Sequence, residues 1–406
     1  MLLLRIFKKC LSIFARHIPN VYIHVRAIFQ SPLRFYIRAP TKNTMSKFHK
    51  LKVKEVKSET ADAVSVSFEV PESLKSNFQY IPGQYTTLKL SVNGQQINRS
   101  YSFCSSAYMN EPLTIAVKRV AGGIGSNFIN DNFKPGLEVE VMEPMGNFKA
   151  LLNATNAKHY VLFGGGSGIT PLLSILKSTL VAEPNSRVTL FYGNRNENSI
   201  IFKERIEELA AQYAHRLKVV YIFDAPLNTA HPYSGFLVKD MALRLLRENT
   251  NLSFQNAEFF ICGPTPMMKE VESALSTLGI PKEKIHIEYF TAKADEDKQA
   301  ADVGTASAAE EPFTGVANVT IIYDGNKKEL KVKEKETILE AALDAGYDPP
   351  YSCMVAACCT CRAKLLEGKV EMDDRESLTD AEIAKGYVLT CQSHPKSNKV
   401  VLNYDM

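Results

Sequence analysis

The stretch from Tyr351 to Lys364, YSCMVAACCTCRAK, sets Cys353, Cys358, Cys359 and Cys361 within nine residues, and a further cysteine, Cys391, follows Cys361 after twenty-nine others. Five chemistries compete for such a run: a disulfide, a zinc site, a redox thiol, an iron–sulfur centre, or a buried core. The chain has eight cysteines in 406 residues, half of them in this one stretch. That is not the dispersed framework of a secreted disulfide scaffold, and a reducing, cytoplasmic compartment is the expectation.

The flanks of the stretch narrow the choice. Upstream, NVTIIYDGNKKELKVKE (318–334) reads as a hairpin, and ETILEAALDAG (336–346) as a helix with a Thr337/Glu340 capping box and Gly346 just past its end. The cysteines come next, with four residues between Cys353 and Cys358, two between Cys358 and Cys361, then the long interval to Cys391. Zinc sites usually pair two short-spaced cysteine pairs. Here three thiolates lie on one loop and the fourth returns alone, the plant-type C-x4-C-x2-C…C spacing of a [2Fe–2S] cluster. Cys353, Cys358, Cys361 and Cys391 are the expected ligands, and Cys359, out of register, is expected to be a small packed side chain.

From Val316 to Met406 the chain resembles a plant-type ferredoxin, which implies a β-grasp sheet with one main helix. One departure is Ala356, where such loops usually carry glycine; if the backbone there needs a positive φ, alanine costs about a kilocalorie per mole.

Further out, composition and patterning divide the chain. The 45% hydrophobic and 23% charged content is ordinary for a globular protein. The net charge of +4 is too small to point to nucleic acid, and it hides an asymmetry. Residues 1–44 carry eight Lys/Arg and no acid, so the remainder is near −4. This basic extension lacks an 18-residue apolar run and is not expected to be a domain or a membrane span; an organelle transit peptide, a peripheral membrane segment and a dispensable extension ahead of Met45 are the alternatives. Residues 45–155 hold alternating strand patterns, LKVKEV, AVSVSFEV, YTTLKLSV, LTIAVKRV and LEVEVMEP, with an Asn93-Gly94 hairpin signal, and imply an antiparallel β-barrel. Residues 156–291 alternate strand and helix, implying a parallel α/β sheet covered on both faces. Residues 292–312, acidic and Ala-rich, read as a flexible linker, and 313–406 as the α+β ferredoxin-like domain.

Two barrel motifs bear on ligands. In NRSYSFCSS (98–106), Arg99 offers a forked cation for phosphate, Tyr101 a flat face for a ring system, and Ser102 a hydroxyl beside it. In VAGGIGSNFI (120–129), Gly122, Gly123 and Ser126 stand at the mouth of a helix, where free amides suit pyrophosphate. VLFGGGSGITPLLSIL (161–176) is a strand, a glycine loop and a helix with Thr170 as the expected N-cap, and it lacks the third glycine of G-x-G-x-x-G. FFICGPTPMM (259–268) then supplies Cys262, Gly263 and Pro264.

Together the R-x-Y-S, G-x-x-S and C-G-P-x-x-M elements resemble the ferredoxin–NADP reductase superfamily, whose barrel binds FAD. By that resemblance Arg99, Ser100, Tyr101, Ser102, Val117, Lys118, Gly122, Gly123 and Ser126 hold FAD. Gly165, Gly166, Gly168, Thr170, Arg195, Ser199, Cys262, Gly263, Pro264 and Phe290 serve the nicotinamide and flavin side. Tyr101, Ser102 and Cys262 stand at the reacting rings, and Glu288 and Phe290 fall where related reductases carry groups over the flavin. In FYGNRNENSIIFKERI (191–206) there is no acid directly after the strand to take ribose hydroxyls; Asn194, Arg195, Ser199 and Lys203 suit a 2′-phosphate, so NADPH is expected rather than NADH.

The domain order most resembles the reductase components of phenylacetyl-CoA epoxidases, among the reductases of multicomponent oxygenases. The implied function is electron transfer from NADPH through FAD and [2Fe–2S] to a separate, diiron oxygenase in phenylacetate catabolism. A reductase for quinone or ferric iron, and a redox sensor without turnover, are the alternatives.

Overall fold

A computed structural model describes residues 47–250, 256–290, 299–305 and 312–406. The extension expected over 1–44 lies outside the described residues, as does most of the expected linker. Among the described residues no helix is long and apolar enough to cross a membrane.

The first domain is built from β1 (Phe48–Thr60), β2 (Ala63–Glu69), β3 (Tyr85–Val92), β4 (Gln95–Ser102), β5 (Leu113–Lys118), α1 (Ile124–Asn132) and β6 (Glu138–Met142). Alternate residues such as Leu51, Val53, Val66, Phe68, Leu88 and Leu90 point to one core, as a half-buried strand requires. The antiparallel order is β4-β3-β6-β1-β2-β5, and a bridge from Phe103 to Ile115 joins the two outer strands, closing the sheet into a barrel. Asn93 and Gly94 turn β3 into β4 with φ of 52° and 79°, the positive values that a two-residue hairpin turn needs.

The second domain follows as β7 (His159–Gly165), α2 (Ile169–Ala182), β8 (Arg187–Asn194), α3 (Lys203–Gln212), β9 (Leu217–Phe223), α4 (Lys239–Asn249), β10 (Ala257–Cys262), α5 (Thr265–Thr277) and β11 (Ile285–Glu288). All five strands are parallel in the order β11-β10-β7-β8-β9. Alternation along β7 serves two cores: Tyr160 and Leu162 pack with α2, while Val161 and Phe163 pack with α4 and α5. Strand order reverses between β7 and β10, and a crevice at the carboxyl ends of strands is the usual ligand position there.

The third domain holds β12 (Ala301–Gly304), β13 (Val316–Tyr323), β14 (Asn326–Lys333), α6 (Ile338–Asp344), β15 (Arg362–Glu367), β16 (Lys369–Met372), α7 (Asp380–Ala384), β17 (Tyr387–Leu389), β18 (Ser393–Pro395) and β19 (Lys399–Asn403). The mixed sheet β14-β13-β19-β15-β17 carries α6, whose N-terminus has the expected capping box of Thr337 with Glu340. Strand β12 corrects the linker reading. Residues 301–304 pair with β16 in a second sheet, β12-β16-β18, and bury Val303 opposite Val370. One inward valine with a two-residue period suffices to make that strand, and the surrounding alanines masked it in the sequence.

Candidate functional site

The cysteine loop runs from the end of α6 to the start of β15. Cys358, Cys361 and Cys391 are buried and Cys353 half-buried. Among the described residues no three His, Cys, Asp or Glu side chains close around a single point as on one ion. The sulfurs fall instead into two neighbouring pairs, Cys353 with Cys358 and Cys361 with Cys391. Within each pair one thiol favours ionisation of the other: Cys353 brings Cys358 down to about 6, and Cys361 lowers Cys391. Two sulfur pairs suit a two-iron centre better than one tetrahedral ion.

The loop backbone is bent toward these sulfurs. Met354 and Ala356 are left-handed, with φ of 58° and 57°. The Val355 N–H donates to Cys353 Sγ at 3.4 Å, and the Ala356 N–H to Cys391. Ala356 thus adopts the conformation that glycine usually serves, while its methyl is wholly buried. Cys359 turns the other way, its Sγ 3.5 Å from Tyr85 Oη, and burial pushes its thiol up to about 11. It belongs to a domain contact and not to the sulfur pairs.

That contact seats the cysteine loop on β3 and β4 of the barrel. Asn98 Nδ2 donates to Tyr351 O at 2.9 Å, Ser100 Oγ to Ser352 Oγ at 2.9 Å, and Lys89 pairs with Asp348 at 2.9 Å. Asn147 Nδ2 donates to Ser377 O at 3.1 Å and to Glu382 Oε2 at 2.8 Å. The Ser100 hydroxyl is therefore engaged with the third domain, at 2.9 Å from Ser352 Oγ, and with Thr87 Oγ1 at 2.9 Å. Its neighbours Arg99 and Tyr101 point elsewhere along the strand, as alternation demands.

Arg99 lies over the start of α1. A Cβ on Gly125 would stand 2.9 Å from Arg99 Cγ, so this glycine lets the guanidinium cross the helix mouth. Gly122 has φ of 71°, Gly123 is the N-cap, and the Ser126 hydroxyl accepts the Val120 N–H at 3.1 Å, keeping its proton to donate. Arg99, whose Nη1 donates to Asn98 O at 2.8 Å, the helix amides and the Ser126 hydroxyl thus lie together at the start of α1, the kind of setting that suits an anion. Gly125 went unmarked in the sequence although it is the third glycine of that run. The Val117 side chain is 1% exposed inside the barrel core, which leaves only its main chain to face a ligand. Lys118, beside it, reaches Asp62 at 3.6 Å and faces Gly166.

In the second domain, register sets Cys262 between Gly164 of β7 and Glu288 of β11 at the switch point. The glycine loop presses onto this strand end: a Cβ on Gly168 would lie 2.1 Å from Cys262 O, and one on Gly165 would lie 2.6 Å from Pro264 Cδ. Cys262 is fully covered, and burial, reinforced by Glu288, raises its thiol well above the ordinary range, so it is a neutral S–H. Thr170 is not the N-cap. A 3-10 turn over Gly166–Gly168 precedes the helix, Gly168 takes the cap position, and the Thr170 hydroxyl donates back to Ser167 O at 3.0 Å.

Arg195 is exposed just beyond β8. Ser199 does not share its ligand role, because its hydroxyl donates to Asn196 O at 2.7 Å and accepts the Asn196 N–H at 3.0 Å, closing a capping box. Glu197, two residues further along the chain, takes the Leu227 and Asn228 N–H groups at 2.8 and 3.2 Å. Phe290, 41% exposed, is not core.

The three domains meet at a cleft of about 210 Å³ lined by Tyr85, Gly146 and Phe148 of the barrel, His286, Glu288 and Tyr289 after β10, and Cys358 and Cys359 of the loop. A larger cleft of about 450 Å³ lies between β1 and α3 and is lined by mutually paired charges such as Lys177 with Glu111 at 2.9 Å. Of the two, the smaller touches the cysteine loop and, through Tyr85 of β3, the register partner of Ser102 on β4.

Known proteins divide in the same way. Residues 50–150 match the oxidoreductase FAD-binding domain, 162–273 the oxidoreductase NAD-binding domain, and 321–396 the 2Fe-2S iron-sulfur cluster binding domain. A component of the 1,2-phenylacetyl-CoA epoxidase of Escherichia coli (strain K12) is 37% identical over 89% of this chain and 99% of its own. The ferredoxin reductase component of 3-ketosteroid-9-alpha-monooxygenase from Rhodococcus rhodochrous is 35% identical over 87% of this chain and 96% of its own. Phthalate dioxygenase reductase shares the fold, with a TM-score of 0.51 and 24% identity over 88% of this chain and 98% of that one. With its barrel, its parallel nicotinamide-type sheet and its paired cysteines, the chain belongs to the oxygenase-reductase family of the ferredoxin–NADP reductase superfamily, with a C-terminal plant-type [2Fe–2S] domain.

Proposed function

We propose that this chain draws electrons from NADPH and delivers them singly to a diiron oxygenase that acts on an aromatic acyl-CoA. The observation that carries the reading is the seating of the cysteine loop on β4, the strand that bears the Arg99–Ser102 motif, and on its partner β3. FAD, when bound, supplies acceptance of a hydride pair and release of its electrons one at a time. The residues supply position: Arg99, Gly122, Gly123 and Ser126 for the pyrophosphate, Tyr101 and Ser102 for the ring, and Cys353, Cys358, Cys361 and Cys391 for the irons. Cys262, as a neutral thiol at the switch point, is the group of β10 assigned to the nicotinamide side. Arg195 favours NADPH over NADH because it is exposed at the strand end while Glu197, the acid nearby, is already committed to two amides. The aromatic acyl-CoA rests on the likeness to the phenylacetyl-CoA epoxidase component. A cytoplasmic location is supported by seven described cysteines that are all free.

The test follows two rates as ionic strength rises: reduction of the flavin by NADPH, and electron delivery to a purified oxygenase of the phenylacetyl-CoA epoxidase type. A transient charged interface makes delivery fall earlier and more steeply. Full electron flow to quinones or ferric chelates with none to the oxygenase would replace this reading by that of a general reductase.

A further inference from the structure

Tyr85 belongs to the barrel, yet its hydroxyl ends inside the cysteine loop. It is 4% exposed, and its ring lies flat on Gly146, where a Cβ would stand 2.8 Å from Cδ1. The hydroxyl accepts the Cys359 N–H at 3.1 Å and stands 3.2 Å from Thr360 Oγ1, which in turn is 3.3 Å from Cys358 Sγ. Thr87 Oγ1, also on β3, is 3.4 Å from Thr360 Oγ1.

Proton directions follow from the chemistry of the end group. As a free thiol, Cys358 donates to Thr360. As a cluster ligand it is a thiolate and only accepts, so Thr360 must donate to it. Thr360 then has no proton for Tyr85. Of the two hydroxyls in reach of its oxygen, Tyr85 at 3.2 Å is nearer than Thr87 at 3.4 Å, and the other acceptor for the Tyr85 proton, Cys359 Sγ at 3.5 Å, is a weak one, so Tyr85 is taken as the donor to Thr360. The Tyr85 oxygen keeps its lone pair for the Cys359 N–H. The result is an oriented relay, Cys359 N–H to Tyr85 O–H to Thr360 O–H to Cys358 Sγ, in which each donor polarises the next in a dry interface.

We propose that Tyr85 is a positioning residue that raises the cluster's reduction potential while the third domain is docked on the barrel, by completing this relay onto the Cys358 sulfur. The inference rests on the flavin-to-cluster reading above. With both groups bound, the step concerned would be the passage of one electron from reduced flavin to oxidised cluster, with no bond formed or broken and one negative charge added at the cluster. Hydrogen bonds to a cluster sulfur favour that more negative state. Docking therefore makes the cluster the better acceptor, and undocking, which withdraws the Tyr85 proton from the chain, makes it the stronger donor to an outside partner.

The test is a potentiometric titration of the full-length, iron-loaded protein, read by cluster absorbance and electron paramagnetic resonance. Tyr85→Phe and Thr360→Val are expected to lower the cluster potential and to reduce the flavin-to-cluster equilibrium constant by up to about tenfold, or about 59 mV for one electron. Thr360→Ser, which keeps the hydroxyl, should stay at the wild-type potential. Lys89→Glu, which loosens docking without touching the relay, should also lower the potential, and Tyr85→Phe in that background should shift it less than it does alone. An unchanged potential in Tyr85→Phe, or full additivity with Lys89→Glu, overturns the relay. A wild-type chain that takes up no cluster overturns the flavin-to-cluster reading and the relay with it.

Discussion

Reversing the charge at Lys89 should undock the cluster domain without touching any cofactor residue. Lys89 Nζ lies 2.9 Å from Asp348 and 5.0 Å from the centre of the Phe48 ring, and the two paired side chains are 18% and 53% exposed. An ion pair half open to water is worth up to about 1 kcal/mol, the opposed carboxylates of Lys89→Glu cost a similar amount, and the lost cation–π contact adds roughly 0.5 kcal/mol. A total near 2 kcal/mol lowers the docked-to-undocked ratio about thirtyfold, at 1.4 kcal/mol per factor of ten. In a single-turnover stopped-flow experiment, reduction of the flavin by NADPH should keep its rate while transfer from flavin to cluster slows by up to that factor. Combining Lys89→Glu with Asp348→Lys should recover most of the loss, because the pair is rebuilt with its ends exchanged. The reasoning is refuted if transfer is unaffected by the single reversal, or if the double exchange recovers nothing.

Three other outcomes are expected. Arg195→Asp should reduce kcat/KM for NADPH by roughly 1–3 kcal/mol of binding while leaving NADH nearly unchanged, since only the 2′-phosphate meets the reversed charge; an equal loss with both makes Arg195 structural. Cys359→Ala should retain the visible spectrum of the cluster, because that sulfur faces Tyr85 and not the sulfur pairs; loss of the spectrum contradicts the ligand set. His159, buried on β7 with Nε2 at 2.8 Å from Thr189 Oγ1, is lowered to about 4 by burial and secondarily by Arg187. The folded domain holds it neutral while the unfolded chain protonates near 6.5, so this contribution is intact above pH 6.5 and is lost as pH falls toward 4, amounting to about 3 kcal/mol. Urea midpoints measured across that window should drop in the wild type and much less in His159→Gln.

Much of the architecture was legible because it rests on local rules. Alternation gave the barrel strands, Asn93-Gly94 their turn, and the capping box the start of α6. Thiolate spacing singled out four of five clustered cysteines, and Cys359, the one out of register, lies against Tyr85. What escaped has physical reasons. Tyr85 meets Thr360 across 275 positions through uncharged hydroxyls, which leave no pattern in either segment. The 3-10 turn over Gly166–Gly168 displaced the helix start and with it the role of Thr170, and the cap around Asn196 used up Ser199. Strand β12 was hidden because one valine among small residues carries little periodicity.

The central claim is a linear path in which flavin is reduced before the cluster and the cluster is the exit. Cys361→Ser tests it most directly, since Cys361 is 2% exposed, is paired with Cys391, and lies outside both the barrel and the nicotinamide-type sheet. In stopped-flow the account predicts flavin reduction by NADPH within about twofold of wild type, with one-electron delivery to the oxygenase abolished. Undiminished delivery from the variant would contradict the path.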